Sequence, residues 1–345
     1  MDTETLKLKS QLEDYLSRRL ETGVHIDHMK SLTGGACQDN YLVDLRVDAG
    51  DMAGAHKLVM RSDKGGSLLK SLTRPEEYRV AEAAAGNGVE TPRPYWLETD
   101  RNVIGRPFYF MQCIPGNANA RYVLRDKSLN AYRKQLPDDL ARNLAAIHGV
   151  TPATHPELNA VFGEPPAAGS AQLAHSSIED IRAYVVQLDE AHPAMELALH
   201  WLKQNAPVND TPVLVHGDFR TGNFMVSPDG LHGIVDWEFA HWGDRHEDVA
   251  WLCMRDWRFG KNKDVGGFTD RETFYNAYQK HSGVTLQSER VRYWEIMGNL
   301  RWAVGSAQQA RRHLSGADKG IELAAIGRRT CEMEYEMLRL MENAG

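Results

Sequence analysis

Two short stretches constrain this chain more than anything else in it: HGDFRTGN at residues 216–223 and IVDWE at residues 234–238. Each ends an apolar run of β character with acidic or amide side chains. A carboxylate is costly to desolvate unless it is paired or used. The Ser227-Pro228-Asp229-Gly230 stretch between them reads as a turn, so the two runs are expected to form a hairpin with Asp218, Asn223 and Asp236 near one end. Carboxylate and amide oxygens are hard ligands suited to Mg2+, and an acid outside the metal can accept a proton from a hydroxyl. Asp218 as base, with Asn223 and Asp236 as Mg2+ ligands, divides the labour in that way. The competing reading is local: Asx turns at Asp218 and Asn223, and a cap at Asp236. The occurrence of all three at these spacings favours a site.

The rest of the chain narrows the surroundings. At 345 residues it is too long for one ordinary core, which implies two lobes. Its net charge of −7 and lack of a basic run argue against a nucleic-acid partner. Cys37, Cys113, Cys253 and Cys331 are far apart and form neither a disulfide framework nor a zinc site, as expected of thiols in a reducing cytoplasm. The N-terminus lacks the apolar core of a signal peptide, and no apolar run approaches the ~18 residues of a membrane span.

Leu8, Leu12, Leu16 and Leu20 recur at helical spacing within residues 3–22. Tyr41, Val43, Leu45 and Val47 then alternate as in a strand, and residues 57–63 form another. A helix follows in TRPEEYRVAEAAAGNG, with Thr73 and Glu76 as a capping box, Pro75 in the first turn, and Gly86 and Gly88 at its end. RPFYFMQCI is a further strand. Beyond about residue 116 the pattern is mainly helical, over 176–204, 246–256, 271–281, 287–310 and 318–342, with β character only in TPVLVHGD and HGIVDWE. The Ala/Gly/Pro-rich residues 160–171 read as an internal loop. The division expected is 1–113 and 114–345.

HGDxxxxN followed by IVDWE resembles the aminoglycoside phosphotransferase family, a branch of the protein-kinase-like fold; His216, Gly217, Asp218, Asn223 and Asp236 all match its motif. GDRHEDVAWL, FGKNKDVGGF and RYWEIMGNLRWAV resemble most a subgroup found as stand-alone bacterial proteins and fused to acyl-CoA dehydrogenase domains. The resemblance implies an α+β, two-lobed fold, with a small β-rich N-lobe holding one main helix and a larger, mainly helical C-lobe. It implies ATP and Mg2+, with Asp218 as the base and Asn223 and Asp236 on the metal. Gly34, Gly35 and Asn40 lie in a stretch similar to the family's phosphate-covering loop, although Gly-Gly is also an ordinary hairpin turn. Arg61 stands where most kinase-like enzymes carry lysine; it is expected to contact the α/β-phosphates, with Glu77 as its anchor, since Glu76 is occupied by the cap. Gln112, Cys113 and Ile114 resemble the hinge whose backbone meets the purine.

Other residues read more plainly. Arg220 suits a phosphate or a local acid equally. His216 is a strut for the loop, His148 a core histidine, and Asp248 a partner for the loop backbone. Trp251, Trp257, Trp294 and Trp302 lie at helical spacings and read as core, with some able to wall an acceptor pocket. Arg301, Arg311 and Arg312 suit an anionic acceptor or a solvated helix face. The function expected is ATP-dependent transfer to a hydroxyl of a small metabolite, with a hydroxyacyl-CoA as one candidate. A pseudokinase-like nucleotide sensor and an antibiotic kinase are the alternatives. An aminoglycoside is a polycation and needs a cluster of acids that the sequence does not display.

Overall fold

The alternation of apolar side chains in the N-terminal third produces an antiparallel sheet, because one face of each strand must be buried. The protein is described from a computed structural model covering residues 3–32, 38–63, 71–316 and 320–343. Its contacts group into two units, residues 1–116 with 232–239, and residues 117–231 with 240–345.

The first unit runs α1 (Thr3–Leu20), β1 (Val24–Leu32), β2 (Gln38–Val47), β3 (Gly54–Asp63), α2 (Arg74–Gly86), β4 (Pro94–Glu98), α3 (Arg101–Ile104) and β5 (Phe108–Gln112). The strands form one sheet in the order β1-β2-β3-β5-β4. Leu12 and Leu16 of α1 are fully buried in one cluster with Val43, Leu45, Met60, Phe108 and Phe110, so the helical stripe and the strand alternation meet in a single core. The register sets Asn40 opposite Arg61, and Arg61 opposite Tyr109. At the start of α2 the Glu76 carboxylate accepts from the Thr73 N–H at 2.8 Å and its hydroxyl at 2.7 Å, the expected capping box. The strand β4 is not visible in sequence. It is short, opens on a proline, and carries Trp96 at φ 50°, which breaks the alternation.

The second unit contains α4 (Ala120–Arg125), α5 (Leu136–Ile147), α6 (Asn159–Phe162), α7 (Gln172–Gln187), α8 (Pro193–Gln204), β6 (Val213–Val215) and β7 (Phe224–Ser227). The chain passes to the first unit within β8 (Gly230–Ile234) and returns for β9 (His241–Gly243), α9 (His246–Cys253), α10 (Arg271–Ser282), α11 (Ser288–Leu314), α12 (Ile321–Gly327) and α13 (Thr330–Glu342). Two expected single helices are each broken in two. Residues 176–204 divide because Pro193 starts a new helix after Asp189 adopts a left-handed backbone (φ 53°). Residues 318–342 divide at Gly327, where a Cβ would lie 2.4 Å from that of Ala310 on α11. The expected hairpin is also corrected. β6 does not pair with the IVDWE run; it pairs with β9 (Val213↔Gly243, Val215↔His241), while β7 pairs with β8. His241-Trp242-Gly243 is too short to show alternation. Residues 216–223 are therefore the β6–β7 loop. Among the described residues no helix is long and apolar enough to cross a membrane.

Candidate active site

In the second unit the β6–β7 loop is built around buried Asp218. Gly217 adopts φ 78°, a conformation glycine takes without penalty. That turn lets the backbone N–H groups of His216 and Gly217 both donate to the buried carboxylate of Asp248, at 2.8 and 3.0 Å. Asp248 in turn lies 3.3 Å from His148 Nε2, and His148 Nδ1 pairs with the Tyr278 hydroxyl at 2.8 Å. Burial alone would raise the Asp248 carboxyl. His148 and His216 outweigh it and hold the group below its ordinary value. The His216 ring adds a strut, accepting from the Asp218 N–H at 3.2 Å.

The Asp218 carboxylate takes three donors. Its Oδ1 accepts from Trp251 Nε1 and Arg220 Nε, each at 2.8 Å, and its Oδ2 accepts from Asn223 Nδ2 at 2.7 Å. Asn223 Nδ2 also donates to the Asp218 carbonyl at 2.9 Å. The guanidinium of Arg220 lies 4.5 Å over the Trp257 ring.

In the first unit the corresponding centre is Arg61, which is buried on β3. It donates from Nη2 to Glu77 Oε1 at 2.6 Å and to Asp236 Oδ1 at 3.2 Å. Burial favours loss of its charge, but Glu77, Tyr109, Asp236 and Glu238 more than offset this and raise its pKa. The other Glu77 oxygen contacts Arg74, itself buried and 2.8 Å from Asp63. Lys57 lies on the same strand, paired with Asp44 at 3.9 Å and largely exposed. Asp236 holds a left-handed backbone at φ 78°, a strained conformation for a non-glycine residue. Its neighbours fix it: Ile234 N–H donates to the Glu90 carbonyl at 2.7 Å, the Thr91 hydroxyl to the Ile234 carbonyl at 2.8 Å, and Trp237 Nε1 to that hydroxyl at 3.0 Å.

Asn40 lies on β2 directly opposite Arg61. Gly34 and Gly35 lie outside the described residues. At the end of β5, Gln112 N–H donates to the Arg93 carbonyl at 2.9 Å and Cys113 N–H to the Lys57 carbonyl at 3.3 Å; the side chain of Ile114 packs against Gly233. Two neighbours escaped the sequence reading. Arg74 looks like an ordinary first-turn residue, and Trp251 is indistinguishable from core by spacing. Only the indole N–H, which a buried tryptophan usually pairs, hints at a polar partner.

The donor chemistry fits Mg2+. Asn223 commits its side-chain N–H groups to Asp218, so its amide oxygen is the ligand it can offer. Asp236 offers a carboxylate. Mg2+ commonly takes one or two such ligands and the rest from water and substrate phosphates. Among the described residues no group of three or more His, Cys, Asp and Glu could hold a metal ion.

The phosphotransferase enzyme family (APH) matches residues 28–293, more than half of the chain. The chain belongs to that family. Membership makes phosphoryl transfer its class of chemistry. Acyl-CoA dehydrogenase family member 10 of Mus musculus is 29% identical over 223 residues, 63% of this chain and 20% of that protein; the chain spans about a fifth of this curated relative. A solved structure of a candidate aminoglycoside phosphotransferase from Ralstonia eutropha JMP134 superposes with a TM-score of 0.73 at 23% identity, covering 97% of this chain and 98% of that one. The aminoglycoside phosphotransferase APH(4)-Ia, solved with ADP and hygromycin B, gives 0.60 at 14% identity over 94% and 98%. These likenesses show the fold: α+β and kinase-like.

Proposed function

We propose that the chain is an ATP-dependent O-phosphotransferase that moves the γ-phosphoryl group to a hydroxyl of a small metabolite. The observation that carries the reading is the uneven solvation of the Asp218 carboxylate. Its Oδ1 takes two donors and its Oδ2 one, so Oδ2 keeps a lone pair for the proton of an acceptor alcohol. The acceptor oxygen bonds to the γ-phosphorus as its O–H bond breaks, the proton passes to Asp218 Oδ2, and the β–γ bridging bond leaves its electron pair on ADP.

Mg2+, held through Asn223 and Asp236, would neutralise charge on the phosphates. Arg61, kept cationic by Glu77, grips α/β-phosphate oxygens, and an arginine does so in a bidentate manner. Gly34, Gly35 and Asn40 cover the phosphates. The purine meets the Gln112–Ile114 backbone. Since the Gln112 and Cys113 N–H groups already donate within their own unit, Ile114 supplies the remaining N–H. Residues 1–113 would serve the nucleotide and 114–345 the base and the acceptor. A hydroxyacyl-CoA is the finer substrate proposal, supported by the acyl-CoA dehydrogenase name of the relative.

Thermal melting with ATP in the presence and absence of Mg2+, followed by γ-phosphate consumption across hydroxyl compounds, tests the reading. Stabilisation that needs Mg2+, together with alcohol-dependent consumption, is expected. Stabilisation without Mg2+ and no consumption would favour a nucleotide sensor instead.

A further inference from the structure

The second unit holds a cavity of about 810 Å3 between the 3-10 turn Arg255–Arg258, the loop that follows it, and the start of α13. That volume suits a small-molecule site, roughly 300–1,000 Å3. Three acids line it; two are firmly matched, and the third, Glu332, is largely exposed and shares its partner. Asp256 is buried, contacts Arg329 and accepts from Trp302 Nε1 at 2.6 Å. Glu336 accepts from Arg255 at 2.6 Å and from Arg339 at 2.8 Å. Glu332 lies 3.7 Å from Arg329.

The cations are less committed. Arg258 is used locally, on Asp264 and the Cys253 carbonyl. Arg255 and Arg329, although paired, keep 65% and 40% of their side chains exposed. The ammonium of exposed Lys261 has no ion partner among the described residues. A polycation would find one loosely held carboxylate, Glu332, whereas an anion would find N–H donors on Lys261, Arg255 and Arg329. Phe259 and Tyr335 add two partly exposed aromatic faces. The Phe259-Gly260 step is left-handed (φ 46° and 76°), and the Phe259 carbonyl accepts from Arg125 at 3.1 Å, which fixes that wall.

Continuous contacts link the cavity to Asp218. Arg220 donates to Asp218 and covers Trp257, whose ring lies 5.2 Å from Trp302 and 6.4 Å from Phe259; Trp302 in turn donates to Asp256. Burial pushes the Asp256 carboxyl up, opposed by Arg329, Trp302 and Arg220, so Arg220 acts electrostatically on this acid as well as on Asp218.

We infer that this cavity receives the far end of the acceptor, whose hydroxyl extends past the cavity wall to Asp218, and that this end carries an anionic group on an apolar or aromatic body, gripped by Lys261 with the exposed faces of Arg255 and Arg329. The inference rests on the proposed phosphotransferase reading and adds the place where the charged end of the substrate is held.

Tryptophan fluorescence titrations on the full chain with matched probes test it: 4-(hydroxymethyl)benzoate, its methyl ester, 4-(hydroxymethyl)phenyl phosphate and 4-(hydroxymethyl)benzylamine. One or both anionic probes should bind at least about tenfold tighter than the ester and the amine, and the better of the two distinguishes carboxylate from phosphate. Lys261→Glu should weaken that anion about tenfold or more, and Arg255→Ala less, with melting temperatures recorded alongside. Tighter binding of the amine, no binding of any probe at millimolar concentration, or indifference to both substitutions would overturn the inference. Parallel assays of γ-phosphate consumption separate the two failures. Turnover of cationic alcohols alone sinks the charge assignment and keeps the kinase reading. Lys261-dependent anion binding without consumption for any alcohol sinks the kinase reading.

Discussion

In the first unit a buried cation is held by acids; in the second a buried acid is held by N–H donors. Arg61 rests on Glu77 and Asp236, and its charge is neutralised by full ions. Asp218 rests on one ion, Arg220, and two neutral dipoles, the Trp251 indole and the Asn223 amide. Both charges are desolvated, and each is costly to leave unpaired. The difference matches the chemistry proposed for each. A group that only has to stay charged can be clamped by opposite charges. A group that has to accept a proton must be oriented without being fully neutralised, and must keep a lone pair.

The largest effect should come from removing the base. Asp218→Ala is expected to lower kcat roughly a thousandfold, about 4 kcal/mol in the barrier, with ATP affinity near that of the parent. Retained turnover with lost nucleotide binding would reverse the two halves of the comparison. Removing the clamp on the other side should strike folding instead. Glu77→Ala leaves buried Arg61 and Arg74 undercompensated, and urea denaturation should show a loss of about 3 kcal/mol or more. Unchanged stability would mean that the pair does not hold the first unit together.

A smaller effect separates orientation from charge. Trp251→Phe keeps the ring and deletes one N–H to Asp218, so kcat should fall about tenfold, near 1.4 kcal/mol, while the KM for ATP holds. An unchanged kcat would make Trp251 packing alone. The smallest effect is on pH dependence. Burial, outweighing Asp248, lowers the His148 pKa, so the folded chain resists a proton that the unfolded chain takes up near pH ~6.5. Stability should therefore fall as pH drops below that value, by at most about 1.4 kcal/mol per pH unit for one proton. Asp248, held low, keeps its contribution until more acidic pH. Melting curves at neutral and mildly acidic pH should show a shallower slope in His148→Gln; an equal slope would place the titrating group elsewhere. Arg61, with its raised pKa, keeps its proton throughout this range.

Much of this was legible in the sequence because the decisive signals are local. The capping box at Thr73 and Glu76, the alternation in β2 and the α1 stripe each fall within one or two turns or strands of chain. The partnership of Asp248 with the loop backbone was also foreseeable, since a buried acid after GDRHE must find donors. What was not legible depends on distant pairing. β9 is three residues long and gains its identity only from β6. Trp251 donates to a residue 33 positions away, and periodicity cannot show which indole carries a polar duty. Arg74 completes a buried ion cluster that the helix start alone does not announce. The cavity near Lys261 joins residues of the Arg255–Arg258 turn and of the C-terminal helix, separated by about seventy positions in the chain.

The most direct test is a crystal of the full chain grown with a non-hydrolysable ATP analogue and Mn2+, read by anomalous scattering. The account predicts a manganese peak with the Asn223 amide oxygen and the Asp236 carboxylate among its ligands, phosphate oxygens completing the shell, and Asp218 outside it. Manganese bound by Asp218 in place of either residue, or bound where none of the three reaches, would contradict the division of labour on which everything else depends.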